Sequence, residues 1–156
     1  QTHARIAHLQ PPRTFEPANY LVIDRTSRHS LEVETTMRTG ETHGSLLGVL
    51  QSCRTAMGKR MLRHWLAYPL RQREPIQQRQ RVVAALVEDE RFAIELAGSL
   101  DQVQDVERII GRISVARASP RDVVALGHSA NQAVGLAQLL ADRPAVKHYC
   151  NQLVDV

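Results

Sequence analysis

Aromatic residues are scarce in this 156-residue chain, at 4% of its composition, although hydrophobic residues make up 43%. A buried core must therefore consist mainly of leucine, valine, isoleucine and alanine side chains. That composition favours helices packed on helices over a β-sandwich, because strands are enriched in aromatic and β-branched residues. A chain of this length fits one domain, which can bury roughly two-thirds of its unfolded surface.

Cysteine and long apolar segments are also lacking. Only Cys53 and Cys150 are present, far apart in the sequence. They provide neither a disulfide framework nor the spacing of a zinc site, so a reducing, cytoplasmic setting is expected. No apolar run approaches the roughly 20 residues that span a bilayer, and no signal peptide is recognisable, so no membrane contact is expected.

The two ends of the chain have the pattern of interrupted helices. The chain opens with a glutamine, and Thr2–Leu9 has the spacing of the end of a helix. At the other end Val146, Tyr149, Leu153 and Val156 keep helical spacing up to the last residue. Both ends are therefore expected to be cuts through a longer protein.

Motifs of common catalytic and metal sites are missing. The string Gly58-Lys59-Arg60 has neither the upstream glycine nor the Ser/Thr of a phosphate-binding loop. Acidic residues around Asp89 and Asp105 are explained by helix capping. The histidines form no i, i+4 pair beside a carboxylate and are scattered over His3, His8, His29, His43, His64, His128 and His148. No catalytic, cofactor-binding or metal-binding residue is therefore predicted.

What the chain does have is positive charge, with a formal net charge of +4 at pH 7. The charge is concentrated in one stretch with a single acid, Glu74. Its eight basic residues are Arg54, Lys59, Arg60, Arg63, Arg71, Arg73, Arg79 and Arg81. Charge alone is compatible with a nucleic-acid contact and with a solvated basic face, and it favours the solvated face.

Helical periodicity dominates from Ser45 onward. Ser45 is suited to cap a short helix, and Pro69 ends the helix that follows it. The apolar stripe of that second helix consists of Met57, Met61, Leu62, Trp65 and Leu66. Trp65 is therefore expected in the core rather than stacked on a base. Pro75 suits the first turn of the next helix. The apolar face of that helix consists of Ile76, Val82, Val83, Leu86 and Val87.

Two further helices are expected, one from Asp89 to Gly98 and one around Ile109. In Ser119-Pro120-Arg121-Asp122, the serine can cap, the proline suits the first helical position and the aspartate can complete a capping box. The helix that follows is about 20 residues, or about 30 Å, long. The chain is predicted to be all-α: an irregular helical bundle with one long lever-like helix and at most a short strand near residues 20–23.

Several strings resemble the core domain of MutS proteins. GSLLGVL (44–50) and TAMGKRMLRHWLAYPL (55–70) are similar to the family pattern GSLL…LD.T.T.MG.R.L..WL..PL. Upstream, LVID (21–24) and LEV (31–33) are similar to the segment that leads into that core. Downstream, DVER (105–108) and RASPRD (117–122) continue the resemblance in order. The sequence departs from the pattern at Gln51, Val123 and Val124.

The resemblance implies that residues 17–156 are the first half of a MutS core, or lever, domain that stops before the clamp. Residues 1–16 would be the tail of the connector domain and a linker. It also implies a homodimeric parent protein that binds mismatched duplex DNA and hydrolyses ATP with Mg²⁺. Phe15-Glu16 does not match the family's mismatch-reading Phe-x-Glu motif, because the acid is adjacent to the phenylalanine.

Two functions follow for this segment. The first is a structural piece of a mismatch repair ATPase, without enzymatic activity of its own, which couples the ATPase domain to the DNA clamp. The alternative is an autonomous helical nucleic-acid-binding domain. The basic stretch Arg54–Arg81 can contact DNA or another domain. The resemblance favours another domain, since core helices of the family chiefly support other domains. No individual nucleic-acid contact is assigned.

Overall fold

The structure, a computed structural model, describes residues 17–141 together with Arg143 and Val146. Over these residues the chain forms seven α-helices. They are α1 (Arg25–Ser30), α2 (Leu46–Leu50), α3 (Ala56–Ala67), α4 (Arg73–Glu88), α5 (Glu90–Asp101), α6 (Val106–Ser114) and α7 (Pro120–Ala141). A 3₁₀ turn at Pro17–Asn19 precedes them. The described residues contain no strand, and the all-α prediction is confirmed.

The short strand that the sequence allowed near residues 20–23 is reduced to an isolated antiparallel bridge between Tyr20 and Leu70. None of the described helices is both long and apolar enough to cross a membrane. The helical patterns expected at Thr2–Leu9 and beyond Val146 lie outside the described residues.

Two compact units divide the chain, and the boundary lies within α5, between Ala93 and Ile94. The first unit covers residues 16–93 and contains α1 to α4. The second unit includes residues 94–156 and contains α6 and α7.

Three of the four helices in the first unit begin at short polar side chains, and the sequence predicts one of these caps, Ser45. Helix α4 begins after Gln72 without a side-chain cap. Asp24 precedes α1, and its carboxylate accepts hydrogen bonds from the backbone and the hydroxyl of Ser27 at 2.9 and 2.6 Å. These bonds, the hydroxyl bond foremost, lower the pKa of Asp24. Ser45 caps α2 and Thr55 caps α3. Each cap satisfies one of the backbone N–H groups that a helix leaves without a partner in its first turn.

Few apolar side chains are buried in the first unit. Val33, Leu47 and Phe92 are 7%, 2% and 4% exposed. The apolar face predicted for α4 is only partly covered, because Val83 and Val87 are exposed. Periodicity identifies an apolar face, but the number of neighbouring elements decides how much of that face is buried.

In the second unit, α5 runs through Gly98 to Asp101, so the prediction that Gly98 ends this helix is wrong. A glycine costs a helix about 1 kcal/mol relative to alanine, which packing of the surrounding turns can offset. The prediction that a long helix starts at Ser119-Pro120 is correct. Helix α7 has 22 residues, or about 33 Å at 1.5 Å per residue.

The connection between α6 and α7 is held by the side chain of Asp122. Its Oδ2 accepts hydrogen bonds from the backbone N–H and the hydroxyl of Ser119 at 2.8 and 2.9 Å. The Asp122 N–H in turn donates to the Ser119 hydroxyl at 3.3 Å, which completes the predicted capping box. The Arg112 guanidinium, from α6, donates to Oδ1 of the same carboxylate. One side chain therefore caps α7 and joins it to α6.

This arrangement predicts a pH dependence. The hydrogen bond from Arg112, followed by those from Ser119, lowers the pKa of Asp122 from 3.8 to about 2. Because the folded pKa is depressed, the stabilisation is present above the unfolded value and is lost as the pH falls from about 4 towards 2. Unfolding midpoints of the wild type should fall more steeply over this window than those of Asp122→Asn. Parallel profiles for the two proteins between pH 5 and 2 would show that this carboxylate does not hold the connection.

Candidate interdomain contact surface

The basic stretch predicted from the sequence lies within the first unit, on α3, α4 and the residues beside them. Helix α3 begins where the Thr55 hydroxyl accepts a hydrogen bond from the Gly58 N–H at 2.9 Å. A β-carbon at Gly58 would lie 3.0 Å from that hydroxyl oxygen, so a side chain at this position would crowd the capping hydroxyl. The helix ends at Ala67, before Pro69, as the sequence predicts.

Helix α3 has one basic and one apolar face. At about 100° per residue, an arc of about 140° contains Lys59, Arg60, Arg63 and His64, which we call the basic face of α3. Lys59, Arg63 and His64 are exposed and Arg60 is half-buried. The remaining arc carries the predicted apolar stripe, from Met57 to Leu66.

The indole of Trp65 is not in the core. It is 37% exposed, and the guanidinium carbon of Arg79, from α4, lies 3.5 Å from its ring centroid. Met61, one turn earlier, is 52% exposed. The prediction of a core tryptophan is therefore wrong, because a cation–π contact covers one ring face where apolar neighbours were expected.

The eight basic residues do not form one continuous patch. Trp65, and with it Arg79, lies on the opposite side of α3 from Lys59 and Arg63. On α4, Arg73 and Arg81 are exposed, and they lie about 120° and 160° from Arg79 around the helix axis. The six basic residues on α3 and α4 therefore divide among the basic face of α3, the Arg79 contact and an exposed side of α4. Arg54 and Arg71 lie in the segments that precede the two helices.

The segment before α1 pairs with the loop between α3 and α4. The Leu21 N–H donates to the Pro69 carbonyl at 2.8 Å, and the Arg71 N–H donates to the Asn19 carbonyl at 3.0 Å. Aromatic rings pack beside this pairing. The ring centroid of Tyr68 lies 6.2 Å from that of Tyr20, edge to face, and 5.0 Å from that of His64, with the two rings tilted. Residues 19–21 and 69–71, which are far apart in sequence, are thus neighbours, and helical periodicity could not indicate this pairing.

The GSLLG string (44–48) forms a compact corner. Ser45 is buried, and its hydroxyl can donate a hydrogen bond to the Thr42 carbonyl at 2.7 Å or to the Glu34 carbonyl at 3.0 Å. The same hydroxyl accepts a hydrogen bond from the Gly48 N–H at 3.2 Å. Gly44 has a φ of +89°, which favours glycine. The backbone N–H of Leu47 donates to the Val33 carbonyl at 2.9 Å. These residues anchor the loop that precedes α2.

A cleft of about 480 Å³ lies beside the start of α7 in the second unit. Its lining consists of Gln102, Gln104, Pro120, Arg121, Val124, Ala125, His128 and Gln132. The neighbouring Ser129 is buried, and its hydroxyl accepts from the Gln104 N–H at 3.0 Å and donates to the Ala125 carbonyl at 2.9 Å. No sequence signal singles out Ser129, since a lone serine inside a helix has no distinguishing pattern.

The acidic residues singled out in the sequence serve as caps. Asp89 accepts from the Phe92 N–H at 3.0 Å, and Asp105 accepts from the Arg108 N–H at 3.4 Å. The structure describes four of the seven histidines, at 29, 43, 64 and 128. Within the described residues no three His, Cys, Asp or Glu side chains group as metal ligands would.

Comparison with known families adds a match over most of the chain. The sequence model of MutS domain III matches residues 26–154. A protein of Synechococcus sp. (strain JA-2-3B'a(2-13)), named DNA mismatch repair protein MutS, is 42% identical over 134 residues. The match covers 86% of this chain and 15% of that protein.

Proteins of the same name in other bacteria are similar to the same extent. The one from Synechococcus elongatus is 40% identical over 136 residues, or 87% of this chain and 15% of the relative. The one from Syntrophomonas wolfei is 40% identical over 124 residues, or 80% and 14%. The chain thus spans about 15% of the length of these relatives.

Proposed function

Since this chain belongs to the MutS domain III family, we propose that it is an internal structural segment of a DNA mismatch repair protein. The match over residues 26–154 is the observation that carries the proposal. In this assignment residues 17–156 are the first half of the core domain, and residues 1–16 are the tail of the connector domain.

The activities of the whole protein belong to the same proposal. The parent binds mismatched duplex DNA, hydrolyses ATP with Mg²⁺, works as a homodimer and resides in the cytoplasm. ATP and Mg²⁺ bind outside this segment, which has no enzymatic activity of its own. The name shared by the relatives supports the repair assignment.

The role of this segment is mechanical coupling between the ATPase domain and the DNA clamp. The contacts of Asp122 with Ser119 and Arg112 fix the start of α7 and join it to α6. A long helix with a fixed start moves as a unit rather than bending continuously, so it can carry a displacement between distant domains.

The basic stretch Arg54–Arg81 contacts another domain rather than DNA. The observation that supports this is the division of its six helical basic residues over three surfaces of α3 and α4. A protein that binds the phosphate backbone of duplex DNA needs several cations on one continuous surface, because affinity rises with the number of phosphates neutralised. The same division disfavours the alternative, an autonomous nucleic-acid-binding domain.

Three measurements test the proposal. Spontaneous mutation frequency should rise when the parent gene is deleted and return to its original value when the intact gene is restored. An unchanged frequency in the deletion strain would contradict a repair function. Binding of the 156-residue chain to a 20-base-pair duplex, followed by fluorescence anisotropy at increasing salt, tests the structural role.

The binding measurement should detect weak or no association at physiological salt. Sub-micromolar affinity with a steep loss between low and high salt would instead support the autonomous nucleic-acid-binding domain. Turnover of ATP by the isolated chain above background would contradict the assignment of the ATPase to the rest of the parent.

A further inference from the structure

The basic face of α3 carries charge that the helix itself does not need. Lys59 lies near the start of α3, and the first turn holds no acid. The N-terminus of a helix has partial positive charge, so a cation there is unfavourable. Lys59 and Arg63 are also an i, i+4 pair of like charge, which destabilises a helix. Local stability therefore does not account for this arrangement.

These two charges are not neutralised by the part of the chain that the structure describes. Helix α3 contains no Asp or Glu. The side chains of Lys59 and Arg63 form no ion pair with any described residue, whereas Arg60 already has a partner within the chain. Lys59 and Arg63 are thus the two cations of this face that are available to a partner.

The number and spacing of the two cations indicate the chemistry of that partner. Residues at i and i+4 have β-carbons about 5–6 Å apart, on one side of a helix. Two cations neutralise at most two phosphates, whereas proteins with strongly salt-dependent duplex binding make about 6–10 phosphate contacts. A pair of carboxylates one helical turn apart on another helix has the same spacing as Lys59 and Arg63.

Small side chains at both ends of the face leave room for a helix to approach. Ala56 and Ala67 fall within the same arc as Lys59 and Arg63, at about 100° per residue. Close approach strengthens charge-assisted hydrogen bonds, because the pairs are partly removed from water.

We propose that the basic face of α3 docks on an acidic helix of another domain of the same parent chain, with Lys59 and Arg63 each paired to a carboxylate. The proposal rests on the assignment of this chain as an internal segment of a longer protein. The contact places α3 as an anchor for a neighbouring domain and not as part of the DNA path.

Zero-length carbodiimide cross-linking of the full-length parent protein, followed by mass spectrometry, tests this contact. The reagent joins an amine to a carboxylate only where the two are in direct contact. Lys59 is one of two lysines in this segment, the other being Lys147, so its products are readily assigned. Arg63→Lys adds a second amine on the same face, and Arg81→Lys adds a matched control amine on the exposed side of α4.

Amide links are expected from Lys59, and from position 63 in Arg63→Lys, to Asp or Glu residues outside positions 1–156 of the same chain. Arg81→Lys should give no such link. The proposal is overturned if neither position on α3 is linked, if position 81 is linked equally, or if isotope-mixed protein shows that the links join two copies. A different result would assign this face to nucleic acid: added 20-base-pair duplex protects Lys59 from an acylating reagent, and no amide links to Asp or Glu form.

The cross-linking result is independent of the repair assignment. A parent that restores the mutation frequency but shows no links at positions 59 and 63 would overturn the docking contact alone. A parent that shows the links but has no effect on mutation frequency would overturn the repair function alone.

Discussion

Replacing Gly48 with alanine is expected to destabilise the first unit by about 3 kcal/mol, at the upper end of the cost of overpacking. A β-carbon on Gly48 would collide with the carbonyl oxygen of Thr42, and it would lie 3.1 Å from the carbonyl carbon of Thr42 and 3.3 Å from the α-carbon of His43. All these atoms belong to the backbone, so no side-chain rotation can relieve the collision. The loop that Ser45 anchors must move instead.

Thermal and urea unfolding of the 156-residue chain measure this effect. About 1 kcal/mol shifts the midpoint of a small domain by roughly 4–8 °C, so the first unit of Gly48→Ala should melt more than about 10 °C lower. Gly127→Ala is the matched control, since Gly127 is helical and has nothing within 4 Å of a built β-carbon. The control should be stabilised by about 0.5–1 kcal/mol. Equal stability of Gly48→Ala and the wild type would contradict the close approach of Thr42.

Ile109→Ala is expected to destabilise the second unit by about 2–5 kcal/mol, the usual range for removing a large buried aliphatic side chain. Ile109 is 4% exposed on α6, and α6 packs against α7. Its truncation leaves a cavity where α6 packs, and the turns on either side can close that cavity only in part.

Ile110 provides a control of the same residue type on the same helix. It is 49% exposed, so Ile110→Ala should cost less than about 1 kcal/mol. Urea unfolding, with separate fits for the two units, measures the loss of stability in each of the two variants. Similar losses for the two variants would contradict the burial of Ile109 and the exposure of Ile110.

Helix starts are the part of the fold that local sequence predicts well. Ser45 and Ser119 cap α2 and α7 as expected, because a capping hydroxyl acts within three residues and needs no tertiary context. Helix ends are less predictable, as α5 shows by continuing through Gly98. A single glycine changes helix stability by about 1 kcal/mol, which packing elsewhere can outweigh.

The candidate surface was predictable only in part. Composition located the basic stretch between Arg54 and Arg81, but which of its basic residues meets the neighbouring helix depends on how α3 and α4 lie against each other. The sequence pattern placed Trp65 in the core, whereas the structure covers it with Arg79. An apolar stripe indicates which side chains can be buried. The neighbouring elements determine which of those side chains are buried.

The sequence by itself determined that the chain is helical, where most of its helices begin and that its ordered strings resemble the MutS core. These properties depend on residues within one or two helical turns, or on the order of short strings along the chain. Tertiary structure alone decided that Ile109 is buried while Ile110 is exposed, that Gly48 lies against Thr42, and that Lys59 and Arg63 remain uncompensated. These outcomes depend on contacts between residues that are distant in sequence, and no local pattern encodes such contacts.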